Sequence, residues 1–162
     1  MKVCIFPNNS IISDYNNDEI VNKIFNPENI FEEVHIISFI DKEIPEEKVQ
    51  KIAGNAKLKI YAVGKFQNNE IKNSYKIIKD LVRTISPKII RAYNTNREGW
   101  VASNCAKELD IPFFLSLHSR LDYDIKVAKK TNLKKYINLI LQTKFNESEI
   151  FKKSKKISIF NK

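Results

Sequence analysis

KIIRAYNTNREGWVASNCAKELDIPFFLSLHSRLDYD, residues Lys88–Asp124, alternates twice between an apolar run and a polar loop. Ile89–Ala92 reads as a strand that stops at Tyr93-Asn94-Thr95-Asn96. Val101, Ala102, Cys105, Ala106 and Leu109 then recur at helical spacing, and Ile111-Pro112 stops that helix. Phe113–Leu117 is the next strand and ends at Leu117-His118-Ser119-Arg120. Hydrophobic strands that give way at once to polar side chains are how an open α/β sheet makes a ligand crevice.

The flanking sequence repeats the alternation. Lys2–Phe6 is a short apolar strand ending at Pro7-Asn8-Asn9-Ser10, and a helix is expected around Asp18–Phe25 before Asn26-Pro27 breaks it. Val34–Phe39 is the second strand. Pro45–Ala53 reads as one or two helical turns closed by Gly54, and Lys57–Val63 as the third strand. Ile71, Tyr75, Ile78, Val82 and Ile85 mark one buried helical stripe that ends before Ser86-Pro87. Beyond Asp124, the residues Leu133, Tyr136, Ile137, Ile140, Leu141 and Phe145 make another long stripe, and Ile157–Phe160 is the sixth strand. Strands alternating with helices predict a single α/β domain over residues 1–162: a three-layer, Rossmann-like, mostly parallel sheet of about six strands with helices on both faces.

Composition narrows the class. The 162 residues suffice for one domain with a proper core, and no apolar run nears the roughly 20 residues that span a bilayer. The start, MKVCIFPNNS, does not read as a secretory signal, so a cytoplasmic location is expected. Cys4 and Cys105 fall on apolar positions away from any metal-binding spacing and read as small buried hydrophobes.

Charge is unevenly placed. Leu121–Lys162 holds 11 Lys against Asp122, Asp124, Glu147 and Glu149, a balance of +7 out of the chain's +9. That segment could meet an anionic membrane at its inner face, but in a chain rich in Lys, Ile and Asn the default reading is a solvated helix face. Nucleic acid is not expected as a partner, because the basic segment has no arginine and no exposed aromatic interleaving. Of four arginines, Arg91, Arg97 and Arg120 lie in Lys88–Asp124. Where lysine is the default cation, arginine points to a planar donor for phosphate or carboxylate.

In a Rossmann-like order the first and fourth strands are neighbours, and their carboxyl ends flank the crevice. Asn8, Asn9 and Ser10 would then face Tyr93, Asn94, Thr95 and Asn96, with His118, Ser119 and Arg120 one strand further along. None of Gly54, Gly64 and Gly99 follows the first strand, so dinucleotide binding is not expected, and no phosphate-binding P-loop, nucleophile elbow or metal cluster is present. His118 is the candidate for chemistry, able to donate to phosphate or sugar hydroxyl and to titrate near neutral pH. His35, inside a strand, is expected to pack. Asn94 and Asn96 could cap the helix that starts near Arg97, or touch ligand. Asp122 and Asp124 could cap the next helix, Tyr93 could pack or line the crevice, and Trp100 is expected to pack.

These residues carry a family pattern. Ile89–Asp124, NPENIFEEVHIISF (26–39) and KKYINLILQTKFNESEIFKKSKKISIFNK (134–162) resemble the N-terminal domains of family 4 glycosyltransferases. The resemblance implies the GT-B architecture, two Rossmann-like domains across a cleft, with the first mainly holding the acceptor. It implies a retaining, metal-independent hexosyl transfer from a UDP-, GDP- or ADP-linked sugar to a saccharide or lipid-linked acceptor, with no cofactor. By it, His118 stands beside the transferred sugar and donor phosphate and Asn94 lines the pocket; Arg91, Arg97, Ser119 and Arg120 are expected as further substrate contacts from their own place in these loops. The sequence departs from the family at Pro7–Ser10, which replaces a common Gly-Gly loop, so donor-phosphate contact from there is not expected. The donor-binding domain is expected to be absent from this chain, to be supplied by a missing domain or partner chain. The alternative reading is a non-catalytic ligand-binding or membrane-surface module of the same fold.

Overall fold

The computed structural model describes residues 1–7, 21–42, 44–64, 71–117, 121–142 and 147–159. Six strands form one sheet in which every pairing is parallel: β1 (Lys2–Phe6), β2 (Glu33–Ser38), β3 (Lys57–Ala62), β4 (Ile89–Ala92), β5 (Phe113–Leu117) and β6 (Lys156–Ile159). Their order is β3-β2-β1-β4-β5-β6. The chain thus winds outward from β1 in one direction, returns, and winds outward in the other. The expected α/β Rossmann-like class is the one observed.

Alternation along each strand sends side chains to two separate cores. On one face Cys4, Phe6, Ile37, Ile90, Phe113 and Leu115 pack under α2 (Ile71–Ile85), α3 (Arg97–Leu109) and α6 (Ser148–Lys153). On the other, Val3, Ile5, Val34, Ile36 and Leu58 meet Phe25, α1 (Glu46–Val49) and the 3-10 turn Gln50–Ala53. Both cysteines are free and fully buried, and burial pushes the Cys105 thiol up to about 12. Gly54 ends the 3-10 turn at φ +62°, a conformation that L side chains resist.

α2 places Ile78, Val82 and Ile85 in the core, as its spacing predicts. Lys79 reaches from α2 to Glu108 of α3 at 2.6 Å, and Trp100 packs edge-on against Tyr75, with ring centroids 5.7 Å apart. His35 also packs as expected: it is 5% exposed, with Nδ1 3.0 Å from the Tyr61 hydroxyl and Nε2 3.1 Å from the Glu33 carboxylate.

Two expectations need correction. Residues 22–25 form a turn, not the end of a helix; residues 18–20 of the Asp18–Phe25 expectation lie outside the described residues. Lys23 sits at φ +55°, and the amides of Lys23 and Phe25 donate to the Lys51 and Ile52 carbonyls, so they cannot serve a local helix. Asn26 fixes this loop by donating to the Phe31 and Ala53 carbonyls and accepting from the Phe31 amide.

The second correction concerns the basic segment. Between Leu121 and Gln142 it holds two helices, α4 (Leu121–Thr131) and α5 (Leu133–Gln142), divided at Asn132. Asp122 and Asp124 lie within α4. Leu133 and Ile137 of the apolar stripe are 68% and 47% exposed, so that stripe is not buried along its length. Phe145 and Phe160 lie outside the described residues.

Candidate functional site

The sheet reverses winding direction between β1 and β4, so their carboxyl ends define the crevice. Phe6 pairs with Ala92 at this end, and the Tyr93 amide extends the pairing by donating to the Phe6 carbonyl at 3.2 Å. Buried Pro7 continues β1, and the loop Tyr93–Asn96 continues β4.

That loop is built around one carboxamide. Asn94, 3% exposed, accepts with Oδ1 from the amides of Asn96 (2.9 Å) and Gly99 (3.3 Å), and its Nδ2 donates to Glu98 at 3.4 Å. Helix starts leave backbone amides without partners, and Asn94, two residues before the N-cap, takes up one of α3's, that of Gly99. Asn96 occupies the N-cap position, but its own side chain makes no capping bond. Of the two candidate caps, Asn94 therefore does the capping. Gly99 makes this possible, since a Cβ there would lie 2.0 Å from the Asn94 carbonyl oxygen.

Arg91, within β4, and Tyr93, at the start of the loop, stand on the same sheet face. Arg91 lies beside Ile5 and Phe114 in the register, donates from Nε to Ser116 Oγ at 3.0 Å, and places its guanidinium 4.7 Å from the Tyr93 ring centre. Tyr93 is 4% exposed and meets Phe25 edge-on at 5.4 Å, so its ring packs in the core. Burial pushes its phenol up to about 12, against the opposing pull of Arg91. Among the described residues no carboxylate forms an ion pair with Arg91. Among the described residues the guanidinium is thus held by the Tyr93 ring and one hydrogen bond, one residue before the carboxyl end of β4.

Arg97 is exposed at the first residue of α3. Asn8, Asn9, Ser10, His118, Ser119 and Arg120 lie outside the described residues. The described part of the site is thus Arg91, Tyr93, Asn94 and Arg97 on one β4–α3 connection.

Three contributors were not singled out in the sequence. Glu98 sits beside Asn94 in the first turn of α3, and burial raises its carboxyl above the usual range despite the Asn94 hydrogen bond and nearby Arg97. Ser116 orients Arg91. Thr95 donates to Glu147 at 3.1 Å, tying the loop to the N-cap of α6 some fifty residues onward. An acid in the first turn after a strand end is a readable signal for Glu98. Nothing local to Ser116 or Glu147 announces their partners.

Among the described residues no three His, Cys, Asp or Glu side chains gather to hold a metal ion, and no helix is long and apolar enough to cross a membrane. No protein-family model matches the sequence. No curated protein matches it either. Among solved structures, the chain is similar to UDP-GlcNAc 2-epimerase from Neisseria meningitidis bound to UDP-GlcNAc, at 15% identity and a TM-score of 0.46. The similarity covers 98% of this chain and 46% of that one, so the chain spans under half the length of that enzyme.

Proposed function

We propose that the chain is the acceptor-side domain of a two-domain glycosyltransferase, contributing one wall of the cleft in which a hexosyl unit passes from a nucleotide-sugar to a saccharide or lipid-linked acceptor. The observation that carries this reading is a coincidence of place. The β4–α3 loop, part of the stretch that resembles family 4 glycosyltransferases, stands at the carboxyl end of the β1/β4 switch point. A donor-binding domain or partner chain supplies the facing wall.

In this proposal the transferred sugar acquires oxocarbenium-like positive charge while the leaving phosphate gains negative charge. His118, which follows the last residue of β5 in sequence, donates a hydrogen bond there. Arg91, Arg97 and Arg120 raise the positive potential at the phosphate side, and Ser119 with Asn8, Asn9 and Ser10 offers hydroxyl and amide contacts to the acceptor. Asn94 acts chiefly by shaping its loop, because its carboxamide oxygen already takes two backbone amides. No metal or cofactor enters the reading.

A second reading, a ligand-binding module without catalysis, is favoured by the same burial of Tyr93 and Asn94, which leaves fewer free groups at the crevice. Titrating UDP-, GDP- and ADP-hexoses and candidate saccharide acceptors into wild type and His118→Ala, by calorimetry, separates the readings. The transferase reading predicts binding by wild type that falls about tenfold or more in the variant, in line with the loss of a charged hydrogen bond. Equal binding by both proteins would favour the non-catalytic module, and no binding by either would reject both.

A further inference from the structure

Asn132 ends one helix and opens another: its amide donates to the Ala128 carbonyl at 2.8 Å, and its carbonyl accepts from the Tyr136 amide at 2.9 Å. Among the described side chains around this corner, the exposed ones are of two kinds, apart from Thr131 and Asn132 themselves. Val127, Leu133 and Ile137 are 41%, 68% and 47% exposed, and Lys126, Lys129, Lys130 and Lys134 stand exposed among them. Ala128, 1% exposed, is on the inward side. Leu133 and Ile137 are one turn apart on α5, as are Val127 and Lys130 on α4. From Ile125 to Asn146 the sequence has six lysines and no acid.

We propose that the α4–α5 corner is a docking surface for an anionic lipid bilayer. Exposed aliphatic side chains interleaved with lysines suit a surface whose outer layer is negative and whose next layer is apolar: lysines meet the headgroups while Val127, Leu133 and Ile137 enter the boundary beneath. Protein interfaces fit this composition poorly, because lysine is depleted from them. Nucleic acid fits it poorly too, since Leu121–Lys162 contains no arginine for base or phosphate forks and aliphatic groups gain nothing against a phosphate backbone. α4 starts four residues after β5 ends, and the corner lies at the other end of this 11-residue helix. Docking is independent of the transferase reading.

The test is co-sedimentation of the whole chain with phosphatidylcholine vesicles and with vesicles in which part of the lipid is phosphatidylglycerol, across a salt series. The expected result is partition into the anionic vesicles alone, weakened but not abolished by salt. Leu133→Gln/Ile137→Gln, which keeps every charge, should weaken partition about tenfold, the loss of roughly two exposed aliphatic side chains from the interface. Lys126→Gln/Lys130→Gln/Lys134→Gln should weaken it comparably and remove the salt dependence, with thermal melting of both variants close to wild type. Absence of binding to anionic vesicles would overturn the proposal. So would binding that Leu133→Gln/Ile137→Gln leaves unchanged, or binding only to a homopolymeric RNA used as a soluble polyanion. The vesicle result and the His118→Ala titration can fail independently, so each identifies its own error.

Discussion

Asn94 holds the β4–α3 loop through three hydrogen bonds made by one buried carboxamide, and Gly99 is the residue that lets it do so. The helix's first turn and the Asn94 carbonyl approach too closely for any side chain at position 99. Gly99→Ala should therefore force backbone apart and destabilise the domain by about 2–3 kcal/mol, although alanine is the better helix former. Chemical denaturation of the variant checks this; a variant as stable as wild type would mean that the loop is not held in this conformation. The sequence offered both Asn94 and Asn96 as caps and could not choose, because the choice depends on where the chain leaves β4. Its reading of His35 as a packing residue held, since an imidazole inside an apolar strand has little access to ligand.

At the scale of elements, β4 and β5 were legible to the residue. Pro87 and Pro112 mark their starts, and polar residues mark the end of each apolar run. The expected helix reaching Phe25 was not legible as a turn, because its amides are taken by residues some thirty positions away. Periodicity likewise identified α5 as a helix but carried no information on what covers its apolar side. The β1–β3 surface makes a further prediction. Burial lowers the pKa of His35 from its ordinary 6.5, outweighing the opposing hydrogen bond that His35 donates to Glu33; Lys2 and Lys59 add to the lowering. A depressed pKa means that the unfolded chain binds the proton more readily. His35 therefore favours the native state above about pH 6.5 and loses that contribution as pH falls through the folded-state value. Between about pH 7 and pH 5 wild type should lose more thermal stability than His35→Gln, which cannot titrate. Parallel slopes in the two proteins would show that another group governs the acid side.

For the whole molecule, the strand order β3-β2-β1-β4-β5-β6 decides where a ligand can bind. The alternation of strands and helices in the sequence implied a parallel sheet, but the order had to be assumed, since pairing between distant strands leaves no local mark. With the order in place, the crevice falls at the carboxyl ends of β1 and β4, with Arg91 one residue short of the end of β4. Amide chemical-shift mapping tests the crevice most directly. Isotope-labelled chain is titrated with a UDP-hexose and with saccharide acceptors. The account predicts shifts concentrated at Tyr93–Gly99, Arg91 and the carboxyl ends of β1 and β5. Saturable shifts confined to the opposite, amino-terminal end of the sheet, or no shifts with any nucleotide-sugar or saccharide, would contradict it.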